Sequence, residues 1–331
     1  MRFGVFSVCD HYPAELPRTS AQLYGELLEQ VEAADQLGFD SFWVAEHHFH
    51  EYGAIPSPPV FLAAAAQRTK RIRLGAAVVV LPFHNPLLVA EDYAMVDMLS
   101  GGRLNLGVGT GYLRHEFEGF GVDPDEKGAR FDEALAVLLR AWRGERFSWP
   151  GRFVQVKDMK LNALPVQKPH PPLWVAILRN EAAAQVGGKG FAIMMIPYAT
   201  SERVEEFTAT IADWRRAYTA SGGDPDRARL PFGFHTYVCD GFDRAAAEAR
   251  EAMDRYVRTR LYARQRPFQT LVDKNLIAFG SPEDVVRVAR LYEQCGYTDY
   301  LAIMNFGGLP QAKVLRSMEM MARHVLPAFT S

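Results

Sequence analysis

The sequence has little of what would tie it to a membrane, a nucleic acid or an oxidising compartment. Only three cysteines, Cys9, Cys239 and Cys295, occur in 331 residues. They are odd in number and lack paired spacing, so neither a disulfide framework nor a zinc site is expected. No apolar run approaches the ~20 residues of a membrane span. The amino terminus meets Asp10, His11 and Pro13 too early to leave room for a signal-peptide core. Charge of one sign is not in excess either: 37 basic and 39 acidic side chains give a formal net charge of -2. That balance offers no electrostatic reason to bind nucleic acid or an anionic membrane. Linkers, repeats and low-complexity stretches are absent, and the chain is expected to be cytoplasmic.

What the sequence does contain is an alternation of short apolar runs and amphipathic helical stretches. Phe3 to Cys9 reads as a strand, and Gln22 to Leu37 as a helix with Leu23, Leu27, Val31 and Ala34 at helical spacing. Strands are predicted at Phe42 to Ala45, Ile72 to Leu81, Arg103 to Gly109, Leu173 to Ile177, Ala192 to Ile196, Phe232 to Cys239 and Tyr300 to Met304. Helices are predicted at Pro59 to Arg68, Leu87 to Leu99, Arg130 to Arg143, Glu181 to Val186, Arg203 to Thr219, Arg244 to Leu261, Glu283 to Cys295 and Gln311 to Val325. Phe147 to Leu164 interrupts the rhythm with a hairpin turning at Pro150 and Gly151, and Tyr262 to Gly280 reads as irregular. Length alone suggests two domains. The eight strand-then-helix units instead predict an α/β fold, a single (β/α)8 TIM-barrel domain over residues 1–331 with insertions after strands four and seven. An open doubly wound sheet is the alternative.

In either fold the carboxyl ends of the strands carry the chemistry. The second strand runs directly into Glu46, His47, His48, Phe49 and His50. Side chains alternate along a strand, so His47 and His48 face opposite ways and one metal ion cannot easily take both. His47 reads equally as a general base set by a carboxylate or as a buried structural group. On the fourth strand Asn105, Gly107 and Gly109 share a nearly empty face. Either a flat ligand approaches there or a bulky neighbour fills the space. Arg255, Arg258, Arg260, Arg264 and Arg266 form a basic run, either a solvated face or a lid that meets an anionic group.

Taken together, Arg2 to Gly4, Gly38 to Asp40, Glu46 to Phe49, Gly75 to Pro82, Ala90 to Asp92, Ser100 to Arg103 and Glu116–Phe117 resemble the motifs of the bacterial luciferase-like flavin-dependent monooxygenases. The resemblance is strongest over the first four strands. It implies a barrel, dimeric through its second and third helices. It further implies reduced FMN supplied by a separate NAD(P)H-dependent flavin reductase, and dioxygen as co-substrate. In that family a flavin carbon 4a peroxide oxygenates a small or carrier-bound organic substrate.

Carried over by residue, His47 matches the family's essential histidine beside the flavin, with Glu116 as its partner, and His48 matches a histidine nearer the subunit interface. Gly109 matches a position near flavin carbon 4a, Ala77 and Val78 a non-prolyl cis peptide under the ring, and Arg130 an arginine near the phosphate. Two matches fail: Thr110 stands where the family has a phosphate-binding arginine, and Leu178, Arg179 and Asn180 stand in place of a hydroxyl-bearing run. Arg179 is expected to supply the missing cation while Asn180 caps the following helix. Two other functions fit the same resemblance, a deazaflavin-dependent hydride-transfer enzyme and a non-catalytic flavin-binding partner subunit.

Overall fold

The computed structural model describes residues 1–201, 203–260 and 265–329, and Thr200 without its side chain. The described residues contain eleven strands, most of them separated by helices: β1 (Arg2–Ser7), β2 (Ser41–Val44), β3 (Arg73–Val80), β4 (Leu104–Gly109), β5 (Phe147–Pro150), β6 (Gln155–Met159), β7 (Leu173–Ala176), β8 (Ala192–Met194), β9 (Pro231–Val238), β10 (Ala278–Gly280) and β11 (Asp299–Ile303). Nine form one sheet in the order β10-β9-β11-β1-β2-β3-β4-β7-β8, and every pairing in it is parallel. The sheet is curled, and its β8 end comes back to β9. Met195, just past β8, donates to Pro231 O at 3.3 Å and accepts from Gly233 N at 2.8 Å, bridging β8 to β9. β5 and β6 form a separate antiparallel pair between β4 and β7.

Local sequence accounts for these elements. The helix Ser20–Leu37 opens with a reciprocal capping box between Thr19 and Gln22 and closes on Gly38 at φ 87°, which only glycine adopts without a steric cost. Its buried face contains Leu23, Leu27, Val31 and Ala34, the four positions expected from the spacing. β2, β4, β9 and β11 are buried along their whole length, as in a parallel sheet covered on both faces. Between β2 and β3 the Trp43 indole lies where a Cβ on Gly75 would be, 2.2 Å from two ring carbons. Trp43 meets Trp174 edge-on at 5.5 Å.

The structure departs from the sequence expectations at three places. Tyr262 to Gly280 is not irregular throughout: Phe268–Asp273 is helical and Ala278–Gly280 is β10, which adds to the far half of β9. These elements have six and three residues, too few to reveal a period, and buried Phe268, Leu271 and Phe279 hold them in place. Glu205–Ala220 is the helix expected over Arg203 to Thr219, and a short helix not expected from the sequence, Pro197–Thr200, precedes it. Arg130 lies in a helix that already starts at Lys127, preceded by another at Arg114–Phe120. Leu261, Tyr262 and Arg264, which figured in the sequence reading, lie outside the described residues. All three cysteines are free and buried. No helix among the described residues is long and apolar enough to cross a membrane.

Candidate active site

The chain leaves β2 at Val44 and sends its two adjacent histidines to different surroundings, as the alternation of side chains requires. His48 Nε2 contacts Glu46 Oε1 at 3.0 Å, and His84 Nε2 reaches the same oxygen at 2.7 Å. The second carboxylate oxygen of Glu46 accepts from Val80 N at 3.3 Å. Burial alone would push the Glu46 pKa up, but its bonds to His48 and His84 outweigh that and hold it down. At His84 burial disfavours the proton, and the Glu46 carboxylate overrides it and raises the pKa. Donor atoms of these three groups lie within 4.8 Å of one another, and hydrogen bonds between them already occupy Glu46.

His47 points the other way, into a cavity of about 1350 Å3. Its Nδ1 lies 3.2 Å from Glu116 Oε1. The same oxygen accepts the backbone N–H of His48 at 2.9 Å. An oxygen already accepting one hydrogen acts as acceptor toward the ring as well. Nδ1 therefore carries the proton, and Nε2 is left as the basic nitrogen. Burial lowers the His47 pKa, with Glu116 partly compensating, so the neutral imidazole dominates near neutral pH. Gly53 lets the returning loop pass here, because a Cβ on it would lie 2.6 Å from His47 Cβ. The Tyr52 ring lies 4.4 Å from that of His47, and the Tyr52 and Tyr112 hydroxyls bond to each other.

Most of the other expected residues are brought to this cavity. Ala77, Val78, Gly109, Thr110, Leu178 and Arg179 line it together with His47 and Glu116. The Ala77–Val78 peptide is cis, as the resemblance implies, and the pairing of β3 with β4 shifts register between Ala76 and Val79. The empty face of β4 is explained by neighbours: Cβ atoms on Gly107 and Gly109 would lie 2.6 Å from Ala76 O and 2.7 Å from Val78 Cγ2. Gly109 also borders the cavity.

Two residues are not where they were expected. Arg130 does not line the cavity; its guanidinium bonds Glu126 at 2.9 and 3.1 Å and lies over the Phe153 ring at 4.5 Å. Being i,i+4 from Glu126 on an exposed helix turn favours that pair. Nor does Asn180 cap the next helix: its amide donates to Ser201 Oγ at 3.1 Å, and Glu181 takes the cap position without a side-chain bond. Sequence reasoning assigned no role to Tyr52, Tyr198 or Lys189, which also line the cavity. Tyr198 follows a strand end, where a site residue is expected, but Lys189, paired with Asp132 at 2.6 Å, has no local signature.

Comparison with known proteins agrees with this geometry. Residues 1–276 match the family described as luciferase-like monooxygenase. The chain belongs to that family, and it is an oxidoreductase. It is 28% identical to the oxygenase component of the flavin-dependent trigonelline monooxygenase of Acinetobacter baylyi, covering 100% of this chain and 96% of that one. An uncharacterised protein of Sinorhizobium fredii, y4wF, is 40% identical over 190 residues, and the match spans 54% of its length. An F420-dependent glucose-6-phosphate dehydrogenase of Amycolatopsis mediterranei is 31% identical over 53% of this chain and 55% of its own. Among solved structures, the monooxygenase RslO1 of Streptomyces bottropensis superimposes with a TM-score of 0.93 at 31% identity, covering 100% of both chains.

Proposed function

We propose that residues 1–331 form one domain, an eight-stranded barrel closed at Met195 and Phe232, which acts as the oxygenase component of a two-component monooxygenase using reduced FMN and dioxygen. The observation that carries this reading is the neutral His47, its Nδ1 held by Glu116, on the wall of a cavity larger than the 300–1,000 Å3 typical of one small ligand. There is room for a flavin and a substrate together.

The lining fits the flavin. Ala77, Val78 and Gly109 make an apolar, side-chain-poor floor suited to the ring system, and Thr110, Leu178 and Arg179 lie at the rim, where Arg179 would hold the phosphate. When bound, reduced FMN supplies the electrons that activate dioxygen. The protein's own contribution is to position and to keep water out. His47 Nε2 is the group that accepts or returns a proton at the substrate. Tyr52 is buried, which keeps its hydroxyl protonated, and that hydroxyl bonds to the one on Tyr112, a more exposed residue of the same lining.

The oxygenase-component name of the Acinetobacter relative supports a separate NAD(P)H-dependent flavin reductase as partner. Val60, Leu88, Met95 and Leu99, each about half exposed or more on the helices Pro58–Arg68 and Pro86–Leu99, support a homodimer through those helices. The free cysteines and balanced charge support a cytoplasmic location.

The test is anaerobic mixing of the protein with reduced FMN, then rapid mixing with dioxygen while the absorbance spectrum is recorded. A species distinct from reduced and oxidised flavin, outliving the oxidation of free flavin, is expected. Oxidation no slower and no cleaner than that of free flavin would reject the reading. Turnover with F420 in the absence of dioxygen would replace it with a deazaflavin-dependent hydride-transfer reading, in line with the F420-dependent dehydrogenase name of the Amycolatopsis relative. In the same assay Arg179→Ala is expected to weaken reduced-FMN binding, and unchanged affinity would remove Arg179 from the phosphate site.

A further inference from the structure

The basic run read from the sequence is divided by the fold. Arg258 turns outward while Arg255 is mostly buried; they share Glu15 as counter-ion at 2.8 and 3.0 Å, and Arg255 also reaches Glu251 and Gly307 O. Arg266 donates to Tyr198 O at 2.6 Å. Among the described residues of the run, Arg260 is the one that goes inward. It follows the helix Phe242–Arg258, its N–H bonding Val257 O at 3.2 Å, and its side chain enters the cavity lined by His47 and Glu116.

Arg260 is 4% exposed and makes no ion pair among the described residues. Its Nε and Nη1 are buried without a hydrogen-bond partner. The guanidinium carbon lies 3.7 Å from the centre of the Tyr52 ring, 4.2 Å from that of Tyr256 and 6.0 Å from that of Tyr198. The buried carboxylate that acts on its charge, Asp10, accepts from Gly307 N with Oδ2, leaves Oδ1 without a partner among the described residues and makes no hydrogen bond or ion pair with Arg260. Burial brings the arginine pKa down to about 9, which still leaves the side chain cationic at neutral pH. A structural arginine buried this deeply normally has its donors satisfied, since an unpaired buried charge is costly. Aromatic faces ease that cost without using the in-plane N–H groups. What remains is a planar donor edge, flanked by rings and unused by the described residues.

We propose that Arg260 anchors a carboxylate on the substrate, so that this site takes organic anions and holds the bound molecule beside His47. A guanidinium pairs with a planar carboxylate through two parallel N–H bonds, and the surrounding tyrosine rings suit an aromatic or otherwise flat body. The proposal rests on reading this cavity as the active site. It goes beyond that reading by naming the charge and the recognition group of the substrate.

The test uses benzoate and 2-naphthoate, with their uncharged amides as controls, titrated by calorimetry into wild-type protein, Arg260→Met and Arg260→Lys. Circular dichroism and melting curves verify that the variants fold. Wild type is expected to prefer each carboxylate over its amide by roughly tenfold. Arg260→Met should lose that preference, Arg260→Lys should recover part of it, and FMN affinity should be the same in all three. A preference retained in Arg260→Met, no preference in wild type, or no saturable binding of either acid overturns the assignment. So does a fall in FMN affinity in Arg260→Met, which would give the anion contact to the flavin. A protein that passes the flavin test but shows no carboxylate preference refutes only this proposal. One that binds the acids through Arg260 but not FMN refutes only the flavin reading.

Discussion

Lowering the pH from 7.5 to 5.5 is expected to cost the folded state about 1.4 kcal/mol through His235 alone. Its ring is fully buried, with the rings of Tyr256, Tyr198 and Phe306 at 4.4, 5.0 and 5.6 Å. Neither ring nitrogen has a hydrogen-bond partner among the described residues. Burial therefore pushes the pKa from 6.5 down to about 3. In the unfolded chain the same imidazole titrates near its ordinary value. Above pH 6.5 neither state is protonated and His235 contributes no pH dependence. Below it the unfolded state takes up a proton that the folded state refuses, so stability is lost by about 1.4 kcal/mol per pH unit until the folded group titrates. The full loss is roughly 5 kcal/mol, a third or more of the ~5–15 kcal/mol stability of a typical domain. Urea unfolding of wild type and His235→Phe at pH 7.5 and 5.5 measures it. His47, also lowered by burial, steepens both curves equally, so their difference isolates His235. The variant should be at least as stable at pH 7.5, since it removes two unpaired nitrogens, and should lose less at pH 5.5. Equal losses in the two proteins would refute the reasoning.

His47→Ala should bind FMN normally and lose substrate oxidation by about 10²- to 10⁴-fold, the usual contribution of a positioned general base; single-turnover kinetics would detect it. In Glu116→Gln the charge that raises the His47 pKa is removed, so the acid limb of the pH–rate profile, already below 6.5, should move to still lower pH; an upward shift would contradict the assigned hydrogen bond. Gly75→Ala places a methyl 2.2 Å from the Trp43 ring and should cost about 1–3 kcal/mol by overpacking, seen as a lower melting temperature. Leu88→Glu, on an exposed apolar helix face, should shift the protein to monomer in light scattering after gel filtration.

Much of the sheet was legible because its strands are short β-branched or apolar runs between helices of clear period. The capping box at Thr19 and the left-handed Gly38 mark the first helix as well as its apolar stripe does. The last part of the fold was harder to read. β10 has three residues, and what makes it a strand is its partner on β9 rather than any local preference. The site divides in the same way. His47 and Glu116, 69 residues apart, were paired through a family resemblance and meet at 3.2 Å. Arg130 was assigned by position alone, and the structure commits it to Glu126, a neighbour on its own helix. Glycine on β4 is ambiguous in sequence, since a missing side chain looks the same whether a ligand or Val78 fills the space.

The two adjacent histidines explain how one turn can be both rigid and reactive. Glu46 is held by three donors, His48 and His84 through their rings from the segments after β2 and β3, and Val80, the last residue of β3, through its backbone. This triple contact ties the end of β2 to the end of β3, the strand that carries Ala77 and Val78 into the cavity floor. Glu116 makes the second tie, accepting from the backbone of His48 with the same oxygen that orients His47. The two carboxylates engage both sides of His47 in the chain, Glu46 being its neighbour and Glu116 bonding the backbone of His48. Breaking the His84 contact is thus the instructive perturbation. His84→Ala leaves every cavity-lining side chain in place and removes one anchor of Glu46. If the anchor orients His47, kcat should fall while FMN affinity holds, and His84→Gln, which can still donate to Glu46, should restore much of the rate. A His84→Ala enzyme with unchanged kcat would mean that the Glu116 contact alone sets His47, and that the Glu46 cluster serves stability only.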